Sequence, residues 1–189
     1  MKKFLSIVAF MVLFYACKEL QFSTELLKSA KNGDVEAQYL LGECYEYGAG
    51  IAQDYKQAFY WYEQAAKQGD AVAQCTVAFR YADGKGVAQD KKQAFCWFEK
   101  SAKQGDAVAQ LNLGLCYANA QGVSKDSKQA VYWYAKAAKQ GQDIAQYNLG
   151  YCYYNGEGVA KDISKAKYWY QKAAEQGFPE AIDALEKLK

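Results

Sequence analysis

DAVAQLNLGLCYANAQGVSKDSKQAVYWYAKAAKQG, residues 106–141, decides the fold, because the chain repeats it at a period of 36 residues. One register runs Ala109-x3-Leu113-Gly114-x2-Tyr117, with copies beginning at Ala37, Ala73 and Ala145. A second runs Ala130-x2-Trp133-Tyr134-x2-Ala137-Ala138, with copies beginning at Ala58, Ala94 and Ala166. All four Trp, at 61, 97, 133 and 169, share one position of that register. Full units span 34–69, 70–105, 106–141 and 142–177; residues 23–31 match half a unit before them, and 179–189 half a unit after. A period of this length means a stacked array.

Each register is one amphipathic helix, since residues at i, i+4, i+5 and i+8 fall on one face. Asp34, Asp70 and Asp106 stand where a carboxylate caps free backbone N–H groups, with Gln142 in that place in the fourth unit. Asp54, Asp90, Asp126 and Asp162 open the second helices, and Gln57, Gln93 and Gln129 complete a capping-box spacing. Gly69, Gly105, Gly141 and Gly177 stop them. The pattern predicts about ten helices and an all-α class. Inside each unit runs a loop such as Gly84-Lys85-Gly86-Val87. It follows a helix, and no Lys-Ser/Thr closes it, so it is not a phosphate loop. Its second Gly is expected at positive φ.

The pattern A-x3-LG-x2-Y-x2-G-x-GV-x2-D-x3-A-x2-WY-x2-AA-x2-G resembles the Sel-like repeat family, relatives of the tetratricopeptide repeats. That resemblance implies an α/α right-handed superhelix (a solenoid of helix pairs over residues 23–189) whose concave inner surface binds proteins or peptides, without naming the partner. It also implies where a groove would lie. One first-helix stripe changes from unit to unit: Tyr39, Glu43, Glu46; then Cys75, Phe79, Ala82; then Leu111, Leu115, Ala118; then Tyr147, Tyr151, Tyr154. Of these, Tyr39, Glu43, Glu46, Phe79, Leu111, Leu115, Tyr147, Tyr151 and Tyr154 are the candidate protein- or peptide-binding residues. The surface would run from acidic through apolar to an aromatic ledge, and Tyr suits such a ledge. The alternative is that the stripe only packs against the next unit.

The N-terminus carries an address. Met1-Lys2-Lys3 is a basic start, and Phe4 to Ala16 is apolar except for Ser6. Thirteen helical residues reach only about 20 Å, short of the ~30 Å hydrocarbon core. Residues 1–16 therefore read as a signal peptide and 17–22 as a short linker. Phe14-Tyr15-Ala16-Cys17 resembles a lipobox, in which Cys17 becomes the lipidated first residue. In the other reading Cys17 is incidental, and the peptide is cut elsewhere or retained. The expected setting is a bacterial outer membrane lipoprotein or the periplasm, with membrane contact only through the N-terminal lipid.

Composition narrows the chemistry. Loss of Lys2 and Lys3 with the signal leaves 21 positive and 21 negative side chains, not the basic surface a nucleic-acid binder needs. The 189-residue chain has no His, which removes His general bases, Ser-His and Cys-His pairs and most zinc sites. No cofactor, metal site or catalytic residue is expected. Some cysteine-rich members of the resembled family bridge neighbouring helices with Cys eight residues apart. Those positions hold Ala66 and Gln74, Ala102 and Gln110, and Ala138 and Gln146 here. Cys44, Cys116 and Cys152 recur one repeat or more apart, about 10 Å for packed helices, whereas a disulfide needs Cα atoms within about 7 Å. A Cys96–Cys116 bridge would be strained, and the favoured reading makes Cys44, Cys75, Cys96, Cys116 and Cys152 small core fillers.

Two function classes follow. The first is an exported repeat scaffold for protein–protein or protein–peptide interaction in the cell envelope. The alternative is a weak β-lactamase-like or peptidoglycan-related hydrolase, by resemblance to the cysteine-rich members.

Overall fold

The structure, a computed structural model, describes residues 22–188, so the segment read as a signal peptide and Cys17 lie outside the described residues. It contains ten α-helices and, among the described residues, no strand. None of these helices is long and apolar enough to cross a membrane. The described residues divide into two compact units, the first ending at Gln89 and the second beginning at Asp90.

The first unit contains α1 (Thr24–Lys31), α2 (Val35–Tyr47), α3 (Tyr55–Lys67) and α4 (Ala71–Asp83). Its helices start where the caps dictate. Asp34 accepts from the Ala37 N–H at 2.7 Å, and Asp54 accepts from Lys56 and Gln57 N–H. Gly48 ends α2 in the left-handed region at φ 69°. Leu41, Cys44 and Trp61 form the core with Ala30 and Ala37. Tyr62 is buried beside Gly42, where a Cβ would meet its ring at 2.6 Å. That contact explains the recurring Gly of the first-helix pattern.

The second unit contains α5 (Lys91–Lys103), α6 (Ala107–Asn119), α7 (Ser127–Lys139), α8 (Asp143–Asn155), α9 (Ile163–Glu175) and α10 (Pro179–Glu186). Its buried centre is Leu111, Ala130, Tyr134, Ala137, Ala138, Ala145, Leu149 and Cys152. Asp106 and Asp126 cap as expected, whereas Gln142 makes no side-chain cap bond to α8. The second loop glycine has a firmer role than local φ alone. Gly122 lies at φ 75°, and a Cβ there would collide with the Lys91 carbonyl at the start of α5. Gly158 meets the Ser127 carbonyl in the same way. Only a residue without Cβ admits this approach.

The positions that carry disulfides in cysteine-rich relatives hold a hydrogen bond here. Gln74 Nε2 donates to the Ala66 carbonyl at 3.1 Å, Gln110 to Ala102 at 3.2 Å and Gln146 to Ala138 at 3.2 Å. A second glutamine extends the link back by one repeat. Gln140 Nε2 donates to the Gly105 carbonyl and to Gln110 Oε1, and Gln176 repeats the pattern on Gly141 and Gln146. The amides of Gln74, Gln110 and Gln146 are buried with their partners made, so each of their bonds stabilises by about 1 kcal/mol and each loss costs more, whereas Gln140 and Gln176 are exposed. The five described cysteines are all free; Cys44, Cys75, Cys116 and Cys152 are buried. Cys96 is exposed, so it is not a core filler as the pattern suggested. It sits one residue before the buried Trp97, on the solvent side of α5.

Candidate functional site

The variable stripe does not form one uniform surface in either unit. In the first unit, Glu46 is 3% exposed. Its Oε2 accepts from the Tyr62 phenol at 2.8 Å and from Arg80 Nη2 at 2.7 Å, and its Oε1 pairs with Lys85 Nζ at 2.9 Å. Gln53 Nε2 donates to the backbone carbonyl of the same residue. The carboxylate is thus enclosed by two cations and a phenol, and it does not make the expected acidic end of a groove. Burial and the Glu46 charge push the Tyr62 phenol well above its ordinary pKa, so it stays a donor. Tyr39 lies against the Tyr62 ring at 5.2 Å and faces Thr76 Oγ1 at 3.5 Å. Phe79 and Glu43 are half-buried. Burial, then the neighbouring Glu46, raises the Glu43 carboxyl above its ordinary value.

The second unit is different. Leu111 is in the core, 6% exposed, and does not line a groove. Tyr147 is half-buried, packed on Tyr170 at 5.5 Å and Phe178 at 5.3 Å between ring centroids. Tyr151 and Tyr154 are exposed, 46% and 38%. Although the three tyrosines share one side of α8, they serve two hollows. Tyr147 and Tyr154 line a shallow one with Tyr170 and Glu180, whereas Tyr151 borders a larger pocket of about 380 Å³. The packing of Tyr147 against α9 and the residue before α10 is what separates it from Tyr151.

That larger pocket lies among α6, α7 and α8. Leu115, Ala118, Ala130 and Cys152 supply apolar walls. Asn119, Asn148, Ser127 and the Tyr134 hydroxyl supply polar groups, and Lys125 and Glu157 form a 3.1 Å ion pair at the mouth. Tyr134 is 4% exposed, and its hydroxyl has no hydrogen-bond partner among the described residues. Burial pushes its pKa well up. Burial, with Glu157 adding to it, pushes the Cys152 thiol to about 11. Of these residues the sequence reading named only Leu115 and Tyr151 as candidates. A comparison of units two repeats apart points to four more. Glu46, Arg80 and Lys85 in the first unit stand where Ala118, Cys152 and Glu157 stand in the second, and Tyr62 becomes Tyr134.

The Sel1 repeat model matches residues 35–70, 71–106, 107–142 and 143–178, one residue offset from the units read from the sequence. Among solved structures, the chain is similar to c5321, a protective antigen of uropathogenic Escherichia coli displaying an SLR fold. The identity is 40% and the TM-score 0.83, over 85% of this chain and 34% of that one. It is also similar to a Sel1 repeat protein from Oxalobacter formigenes, with 37% identity and a TM-score of 0.80, over 87% of this chain and 47% of that one. Cysteine rich protein B of Helicobacter pylori shares 26% identity at a TM-score of 0.55, over 70% of this chain and 95% of that one. The chain thus spans about a third and about half of the lengths of the first two. No curated protein matches it. Four matched repeats and two neighbours well above the identity that marks fold alone agree with the helix-pair architecture, and the chain belongs to the Sel1 repeat family.

Proposed function

We propose that this chain is an interaction scaffold, exported to the bacterial cell envelope, that holds a protein or peptide partner on the first-helix face of its second unit. Sel1 repeat proteins in general mediate protein–protein interaction. The observation that carries the reading for this chain is the pair of exposed tyrosines, Tyr151 and Tyr154, each beside a hollow. Large aromatic side chains held on a rigid helix offer contact area at low entropic cost. No catalytic role is assigned. The chain has no His to activate a nucleophile, and the Cys152 thiol in the pocket is pushed to about 11, so it is not a thiolate at neutral pH. Nitrocefin turnover by purified protein would refute this.

The experiment that tests the site is photo-crosslinking in the native host. A benzophenone amino acid at position 151 or 154 should capture a partner. The same group at Tyr132, equally exposed at 50% but on the second helix of its repeat, should not. Capture only at 132 would move the binding face to the other side. Attachment to the membrane through Cys17 belongs to the same proposal and rests on the short apolar segment ending in Ala16-Cys17. A palmitate analogue fed to the host should label the wild type and leave Cys17→Ser unlabelled; equal labelling removes the anchor.

A further inference from the structure

The pocket among α6, α7 and α8 has a filled counterpart within the same chain. In the first unit the corresponding space is occupied from inside, by the Glu46 carboxylate resting on the Tyr62 phenol between Arg80 and Lys85. In the second unit the anion has become Ala118 and the two cations have become Cys152 and Glu157. The receiving phenol remains as Tyr134, buried and without a partner, on the wall of a pocket of about 380 Å³. The wall that supplies two positive charges in one unit therefore supplies a neutral thiol and a carboxylate in the other.

We propose that this pocket receives an arginine side chain of a partner peptide. The proposal rests on the reading of the second unit as a binding face and names the chemistry of what binds there. An incoming anion would meet Glu157, and the cation that lines the pocket, Lys125, is already engaged by that carboxylate; no cation stands where Arg80 and Lys85 stand in the first unit. An incoming cation meets complementary groups. Ser127 Oγ and Lys125 Nζ both engage Glu157 Oε1, at 3.3 and 3.1 Å, while Oε2 has no partner among the described residues. Lys125 and Glu157 are 59% and 39% exposed, so their pair is a weak surface one that a better-placed cation can displace. The Tyr134 oxygen can accept from a donor as well as donate. The Tyr151 ring at the rim offers a face to a guanidinium. Leu115, Ala118, Ala130 and Cys152 suit the aliphatic stem that a long basic side chain buries. Arginine is preferred to lysine because several acceptors surround the space, and the guanidinium presents five donors in one plane.

The probe is acetyl-Gly-Arg-Gly-amide, titrated into the full mature chain and followed by the side-chain amide NMR signals of Asn119 and Asn148. Those signals should shift saturably, and lysine, norleucine and glutamate versions of the peptide should bind more weakly. Glu157→Gln, a change at a partly exposed site, should weaken the arginine peptide about tenfold or more, as loss of a charge-assisted bond does. Ala118→Glu, combined with Cys152→Arg and Glu157→Lys, should rebuild the internal site of the first unit and abolish the shifts. Equal affinity for the arginine and norleucine peptides, preference for glutamate, or indifference to Glu157→Gln overturns the arginine assignment. The scaffold reading would then still stand or fall on crosslinking at 151 and 154.

Discussion

The first unit closes the space beneath its variable stripe with a buried ion network, and the second leaves the same space open. Both use the same recurring glycine under the same aromatic ring and the same aspartate cap at the start of the second helix, Asp54 in one and Asp126 in the other. Among the positions that differ, three carry the ion network: Glu46 against Ala118, Arg80 against Cys152, and Lys85 against Glu157. A repeat array keeps its packing residues alike because each unit must bury its neighbours in the same way. The positions outside that packing are then free to fill the space in one unit with an ion network and to leave it open in another. The Glu46 carboxylate has both oxygens engaged and offers nothing to a ligand, although Arg80 Nε beside it is buried without a partner, whereas the Tyr134 hydroxyl faces an open pocket.

The largest test of this contrast is Glu46→Ala. It leaves Arg80 and Lys85 without their carboxylate; breaking a fully buried pair from one side costs about 3–5 kcal/mol, and because these cations are 17% and 35% exposed the loss should fall toward the lower end of that range or somewhat below it. Urea unfolding should show that loss, and the variant's Tyr62 should become the counterpart of Tyr134. A cost below about 1 kcal/mol would place the network with ordinary surface pairs and erase the difference between the units.

A second test separates packing from presentation within α8. Leu149 is 1% exposed, and Leu149→Ala should cost about 2–5 kcal/mol. Tyr147→Ala loses two ring contacts and should cost about 1–2 kcal/mol. Tyr151→Ala should stay within about 0.5 kcal/mol, as exposed positions do. Thermal melts followed by circular dichroism rank the three. If Tyr151→Ala melts as early as Tyr147→Ala, the two side chains are both structural and the aromatic ledge is core.

The smallest effect concerns Glu43. Its folded pKa is raised, by burial first and by Glu46 second. The folded state therefore holds the proton more tightly than the unfolded chain. The resulting stability is fully present below the unfolded carboxylate pKa and is lost as pH rises through the folded value. Glu43→Gln should accordingly melt slightly higher than wild type at neutral pH. The advantage should vanish below the ordinary carboxylate range. A variant that melts lower at neutral pH would mean Glu43 has a cation that stabilises its charge.

How far the site was legible follows from the same residues. Tyr151 and Leu115 were found because they vary where their neighbours repeat. Glu46 and Leu111 vary too, yet one is enclosed by Arg80 and Lys85 and the other is part of the core. Variation marks freedom from the repeat's packing rule, and it does not say whether the freed side chain turns outward. The glutamines at 74, 110 and 146 looked like the mere absence of a cysteine framework. In the structure each donates to a carbonyl across the turn between repeats.

The sequence by itself determined the helices, their caps, the period and the recurring core, because these depend on spacing along one chain and on residues that meet within a unit or its copy. Tertiary structure decided which polar side chains find partners. Glu46 meets residues 34 and 39 positions away, and Tyr134 meets none. Whether a buried hydroxyl or carboxylate is satisfied depends on what the neighbouring repeat projects into the same few ångströms, and no periodicity within a single helix carries that information.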